Sequence, residues 1–335
     1  MGPEGAPAVA ALAGRRVLVV DDERAVAAAA MRRLERDGAI CLAAHSGTEA
    51  MERLAAETFD LVVTDLEMPG RSGLELLETA RRAAEPPAVI VMAPDGMPEA
   101  GLADALARGA DGFVTKPLDP ELLAHAVAVA VELRALRGAV AARAILPAGP
   151  ILAVLGEVVN AFERADPYRV GFSSRTARLA AAFGQALGLD AERLALAARV
   201  HDVGMLAVPP TELHAEGAMA RPAQHLIRVH PTLGARWIER MGADRAVVAA
   251  VAAHHERFDG NGYPGGLAGD DIPPLARALG TAAAVAAMCA PRPWRGRREE
   301  GAVLDELRTG RGTQFGAAEA DAALDVLRRS PALVS

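Results

Sequence analysis

The sequence predicts two domains of different class: an α/β domain built on a doubly wound parallel sheet, followed by an all-α domain. Three observations carry this reading. Between about Arg15 and Lys116, apolar runs of strand length alternate with helical patterns, and strands separated by helices imply parallel pairing with helices on both faces. Beyond residue 150 the helical patterns continue with no convincing strand. The chain has 335 residues, 51% of them hydrophobic, which allows about two separate cores.

The elements follow in order. Residues 1–14, small and apolar without a basic start, read as a disordered leader rather than a signal peptide. "RVLVV" is a buried-strand run, and a helix from about Arg24 to Asp37 ends where Gly38 can stop it. A helix over 46–57 opens with Ser46 and Glu49 in capping-box spacing. "DLVVTD", "AVIVMA" and "GFVTK" are the further strand runs. Asp119-Pro120 supplies an N-cap and a first-turn proline for a helix that can run to about Ala144. "LPAGP", residues 146–150, then breaks it. The expected boundaries are 15–118 for the first domain, 119–150 for the linking helix and linker, and 151–335 for the second domain. The linking helix is apolar along Leu122, Val129 and Leu133, with Leu136 nearby, a pattern that suits either pairing of two chains or packing on its own sheet.

The net charge is −7, and the arginines are scattered among acids. A nucleic-acid-binding surface would show a basic patch instead. The apolar stretch at 278–290 is shorter than the roughly 18 residues a membrane span requires and reads as a buried helix. Cys41 and Cys289 lie far apart in apolar surroundings, so a reducing cytoplasm is the expected compartment.

The residues at the carboxyl ends of the strand runs carry chemistry. Asp21 and Asp22 follow "VLVV", Asp65 follows "LVVT", and Lys116 follows "GFVT". Ligands of open parallel sheets gather at those ends. Three carboxylates there repel one another unless a hard cation such as Mg²⁺ sits among them. A neighbouring lysine can pair with an added anion, so Asp65 could accept a phosphoryl group. With "DLEMPGRSG" and "FVTKP", the segment resembles the receiver domains of two-component response regulators, which are flavodoxin-like with five strands. That resemblance implies Asp65 as phosphoacceptor, Asp21, Asp22 and Asp65 at Mg²⁺, Lys116 on the phosphoryl group, Phe113 as the switching aromatic, and a sensor histidine kinase as partner. Ala93 stands where the family has a hydroxyl residue, which bears on how phosphorylation couples to a conformational change.

The second domain gathers four of the chain's 8 histidines with acids: His201 and Asp202 in "ARVHDVGM", His230 in "IRVHPTLG", and His254, His255, Glu256 and Asp259 in "AAHHERFDGNGYP". Val247, Val251 and His254 share a helical face, with His255 one step around it. Imidazole with carboxylate suits Fe, Mn or Zn, and such an ion can activate water against a phosphoester. The stretch "HHERFDGNGYP", with "HD" upstream, "DPY", "DDIPPLAR", "RPWR" and "GTQF", resembles the HD-GYP domains, a branch of the HD phosphohydrolases that hydrolyse cyclic di-GMP. The likeness spans about residues 156–315. It implies His201, Asp202, His230, His254 and His255 as metal positions, with Glu163 as a further one and Asp202 central to catalysis. Glycines and Pro264 shape a tight loop, which in the family contacts partner domains; Tyr263 reads either as part of that contact or as an aromatic that caps the loop.

The departures fall on the chemistry. Met205 replaces a phosphate-contacting lysine, Phe172 a histidine and Ala283 a ligand aspartate, while "VPP" at 208–210 and "AEG" at 215–217 replace "IPD" and "KPG". Phe and Ala cannot ligate metal, and removal of one well-placed electrostatic contact costs about 10²- to 10³-fold in rate. One ion can still be held through Asp202, His230, His254 and His255, or none. The expectation is a response regulator whose cyclic di-GMP phosphodiesterase-type output has reduced or lost hydrolysis. Its alternatives are an active metal-dependent phosphodiesterase with an altered metal site, and a non-catalytic module that binds a diguanylate cyclase or similar partner.

Overall fold

A computed structural model of the chain describes residues 12–83, 85–142, 148–164, 166, 168–209, 212, 221–291 and 296–333. These divide into two compact units, one of residues 1–142 with 207–227 and the other of 143–206 with 228–335. Of the stretches singled out above, residues 1–11, 143–147, 167, 210, 215–217 and 292–295 lie outside the described residues.

The first unit is the α/β fold. Strands β1 (Arg16–Val20), β2 (Ile40–Ala44), β3 (Leu61–Asp65), β4 (Ala88–Ala93) and β5 (Gly112–Thr115) form one sheet in the order β2-β1-β3-β4-β5, every pair parallel. Helices α1 (Arg24–Arg36), α2 (Gly47–Ala56), α3 (Gly73–Arg81), α4 (Glu99–Arg108) and α5 (Pro120–Ala142) lie between or after them. Residues 17–20 of β1, 61–65 of β3 and all of β4 are buried, which is why they read as continuous apolar runs rather than alternations. β2 has no counterpart in the sequence reading. It is the edge strand on the other side of β1, its burial is partial, and Ile40 is 52% exposed, so "ICLAA" carries no strong pattern.

Two terminus expectations need adjusting. Residues 12–14 do not belong to a disordered leader, because Leu12 is fully buried with Val17, Leu34 and Val127 in the core between sheet and helices. At α2, the Ser46 hydroxyl accepts from the Glu49 amide at 3.1 Å, but the Glu49 carboxylate takes the amide of His45, not that of Ser46. The full capping box occurs at α3, between Ser72 and Glu75. α1 ends at Arg36, and Gly38 follows at φ 89°, a backbone that glycine permits. At α5, Asp119 Oδ1 accepts from the amides of Glu121 and Leu122. The face α5 gives to the core carries Leu123, Ala126, Val127, Ala130 and Val131. Of the stripe read from sequence, Leu122 is buried whereas Val129, Leu133 and Leu136 are only half-buried; the residues that pack into the core lie on the neighbouring face.

The second unit is helical. Its elements include α6 (Ala148–Arg164), α7 (Phe172–Leu187), α8 (Ala191–Val200), a 3₁₀ turn (Val203–Ala207), the larger part of α9 (Arg221–Arg240), α10 (Arg245–Ala252), α11 (Pro274–Met288), α12 (Glu300–Thr309) and α13 (Ala317–Arg329). No strand occurs among its described residues. α11 is the apolar stretch read as a buried helix, and nine of its residues are buried. Among the described residues no helix is long and apolar enough to cross a membrane.

Candidate functional site

Two clusters of ionisable side chains stand out, one in each unit. In the α/β unit, β1, β3 and β5 deliver their next or last residues to one edge. Asp21 is fully buried, and its Oδ1 accepts from the Glu23 amide at 2.8 Å. Asp65 closes β3, is 4% exposed, and its Oδ1 accepts from the Glu67 amide. Lys116 Nζ lies 2.6 Å from Asp65 Oδ2 and 3.0 Å from Asp21 Oδ2. Burial raises the Asp21 carboxyl, with Lys116 opposing, and the bonds to Asp65 and Asp21 outweigh burial to raise the Lys116 ammonium. Asp21, Asp22 and Asp65 can each offer an oxygen within 4.8 Å of the others. Such an all-oxygen set, with exposed Asp22 leaving room for water, fits Mg²⁺. Ala93 closes β4, fully buried and without a hydroxyl, and Phe113 is buried in β5.

In the helical unit, His201 caps the C-terminus of α8 and Asp202 follows it, His230 sits on α9, and His254 and His255 lie in the turn after α10. The two adjacent histidines are therefore just beyond their helix, not on it. Asp202 Oδ1 faces His230 Nε2 at 3.2 Å, His201 Nε2 at 3.6 Å and His254 Nε2 at 3.8 Å. Nδ1 of His201 bonds the Ala198 carbonyl and Nδ1 of His254 the Val251 carbonyl, both at 2.7 Å. A carbonyl only accepts, so each Nδ1 carries the proton and each Nε2 presents its lone pair inward. Burial lowers His201, holds His254 well below the usual imidazole range and takes His255 down to about 3. Burial acts to raise the Asp202 carboxyl, but His201, Arg169 and His230 override it and keep it well below the usual carboxylate range. The outcome is neutral His201, His254 and His255 beside an ionised Asp202. Asp202, His230, His254 and His255 form a set whose donor atoms lie within 4.8 Å of one another, and that mixture of nitrogen and oxygen fits a divalent transition metal.

Two expected positions fall outside this four-donor set. His201 borders it through Asp202. Glu163 is fully buried, and its Oε1 accepts from the amide and hydroxyl of Ser173; burial raises it, with those bonds opposing. Tyr263 stacks on His255 at 4.7 Å between ring centres, and the Arg228 guanidinium lies over the Tyr263 ring, 4.9 Å from its centre. Glu256 accepts from the amides of Gly265 and Leu267, which fixes the loop behind that ring. Phe172 and Met205 are buried, and the Phe172 ring lies 5.6 Å from that of His201. Arg169, which no sequence pattern marks, contacts Asp202 Oδ2 through Nη2. One more arginine in an arginine-rich chain gave no signal.

Comparison with known proteins bears on both clusters. The model of the response regulator receiver domain matches residues 17–128, and that of the HD domain matches residues 159–318. The chain is 30% identical over 325 residues to the cyclic di-GMP phosphodiesterase response regulator RpfG of Xanthomonas campestris pv. campestris, covering 90% of this chain and 85% of that one. It is 25% identical over 303 residues to a cyclic di-GMP phosphodiesterase of Thermotoga maritima, covering 83% and 81%. Among solved structures, a Francisella response regulator receiver domain aligns with 36% of this chain and 98% of its own, at 27% identity and a TM-score of 0.33. The chain thus belongs to the response regulators in which a receiver domain is followed by an HD domain.

Proposed function

We propose that the receiver controls an HD-GYP-type output domain of the cyclic di-GMP phosphodiesterase class in which hydrolysis is reduced or lost. The carrying observation is the state of Asp202. One of its oxygens joins the histidine cluster, while the other is engaged by the Arg169 guanidinium. Phe172, which can donate nothing to a metal, packs against His201. The remaining donors suffice for one ion, held by Asp202, His230, His254 and His255. Bound there, such an ion would polarise a phosphodiester and lower the pKa of a water. With Met205 in place of a lysine, the substrate phosphate lacks a point charge from that position.

In the receiver, Asp65 is the proposed phosphoacceptor. A carboxylate oxygen displaces the leaving group at phosphorus, and Lys116, already 2.6 Å away, neutralises the arriving charge. Mg²⁺ held by Asp21, Asp22 and Asp65 would supply the remaining compensation.

The test is turnover of cyclic di-GMP by the full chain with Mn²⁺ or Fe²⁺. Product no greater than that of a His201→Ala variant is expected; robust product that His201→Ala abolishes would overturn the reading. A second reading, a module that binds a diguanylate cyclase or similar partner, is favoured by the loop itself. It is braced by Glu256 and presents Leu267 at 37% exposure. Capture of such a partner that survives Asp202→Ala but fails with Tyr263→Ala would support it.

A further inference from the structure

The Arg169 guanidinium occupies a position that determines how many ions the helical site can hold. Asp202 has two oxygens with separate duties. Oδ1 faces His201, His230 and His254. Oδ2 is engaged by Arg169 Nη2, in a pair whose side chains are 13% and 7% exposed. A carboxylate that bridges two ions with one oxygen on each commits both oxygens to metal, and here Oδ2 already has a cation.

The surroundings give the same picture. Glu163 is fully buried, its Oε2 has no hydrogen-bond partner among the described residues, and neither does Arg169 Nε. Arg169 and Asp202 both act electrostatically on Glu163, with opposite sign. Two buried carboxylates, Asp202 and Glu163, therefore share one fixed positive charge, where buried charge requires compensation. The guanidinium also lies over the Phe172 ring, 5.6 Å from its centre, a cation–π separation. The arginine is held by an anion and by an aromatic face, and it repels any dication that approaches Asp202 Oδ2 or Glu163.

We propose that Arg169 is a tethered counter-ion that restricts the domain to a single divalent ion, bound through Asp202 Oδ1, His230, His254 and His255. This rests on the reading that the four-donor cluster binds metal.

The experiment loads the full chain with Mn²⁺ in excess Mg²⁺, which occupies the receiver's acid cluster so that bound Mn²⁺ reports the helical site alone. It removes free Mn²⁺ by desalting into Mg²⁺ buffer, and measures Mn²⁺ per chain by elemental analysis together with its electron paramagnetic resonance spectrum. The wild type is expected to hold one ion with an uncoupled six-line spectrum. Arg169→Ala is expected to take up a second, weaker ion at Asp202 Oδ2 and Glu163, with a broadened, exchange-coupled spectrum. Arg169→Lys, which keeps the charge, should stay at one ion. If the alanine variant does not fold, Arg169→Gln removes the charge at similar size and should show the same gain. Two ions in the wild type would overturn the proposal and leave the metal reading intact. So would a folded Arg169→Ala or Arg169→Gln that stays at one ion, or an Arg169→Lys that takes two. No ion in wild type or any variant, with Zn²⁺ and Fe²⁺ as with Mn²⁺, would overturn the metal reading and the proposal with it.

Discussion

Replacing Gly204 by alanine puts a methyl group where the backbone leaves no room. Gly204 lies in the 3₁₀ turn after Asp202, and a Cβ built there would sit 2.0 Å from the carbonyl oxygen of His230 and 2.9 Å from the amide nitrogen of Gly234. Both obstacles are main chain of α9, so no side-chain rotation relieves them, and the turn and α9 must separate by about 1 Å. Overpacking of a well-filled interior costs about 1–3 kcal/mol, and a clash with backbone belongs at the upper end. At roughly 2–4 °C per kcal/mol for a domain of this size, the melting temperature should fall by about 6–12 °C. The shift also moves His230, whose Nε2 must stay near Asp202 Oδ1 at 3.2 Å and His254 Nε2 at 3.4 Å. Displacing a ligand through its support typically weakens metal affinity by about 10- to 100-fold. Melting followed by circular dichroism, with a Mn²⁺ titration, reads both effects. Gly301→Ala is the control: it lies within α12, has open space around its Cβ, and should stabilise by about 0.5–1 kcal/mol. A Gly204→Ala protein that melts within about 1 °C of wild type and binds Mn²⁺ equally well would refute the reasoning.

Three further outcomes are expected. Acetyl phosphate should label the chain and fail to label Asp65→Asn; Lys116→Ala should be labelled about 10²-fold more slowly, and equal labelling of the Asn variant would show that the acceptor lies elsewhere. In chelator, acidification should destabilise the helical unit. An unfolded histidine protonates near about 6.5, whereas burial and then His230 keep folded His255 down to about 3. The unfolded chain therefore binds more protons below pH 6.5, and stability falls with pH, by about 2 kcal/mol from this group between pH 7.5 and 5. His254 adds to it, and a urea midpoint that holds or rises over that range would contradict the assignment. Glu319→Ala should cost about 3 kcal/mol, because Glu319 is 4% exposed and its Oε1 lies 2.8 Å from Arg277 Nε; an unchanged melting temperature would show that Asp270, 2.9 Å from the same guanidinium, suffices alone.

Much of this architecture is legible in the sequence, for identifiable reasons. β1, β3 and β4 are sheltered on both faces, so hydrophobicity alone marks them, and the acids at their ends follow by position. β2 is not legible because an edge strand with Ile40 in solvent needs no apolar pattern. The histidines of the helical unit were visible as a group because adjacent imidazoles are scarce in the chain. Their exact support was not: periodicity extends α10 through His254, but the helix ends at Ala252 and the pair sits in the following turn. Arg169 was invisible for a different reason. Its meaning depends on being next to Asp202, 33 residues away in sequence, and no local spacing encodes that.

Lys116 has a consequence for the resting receiver. Its ammonium is already shared by Asp21 and Asp65, so the pocket proposed for phosphorylation already holds a cation of the chain's own. Magnesium binding these acids, as proposed above, would have to loosen a tether that the fold itself supplies. On that proposal, readiness to be phosphorylated would answer to the level of free magnesium as well as to the donor.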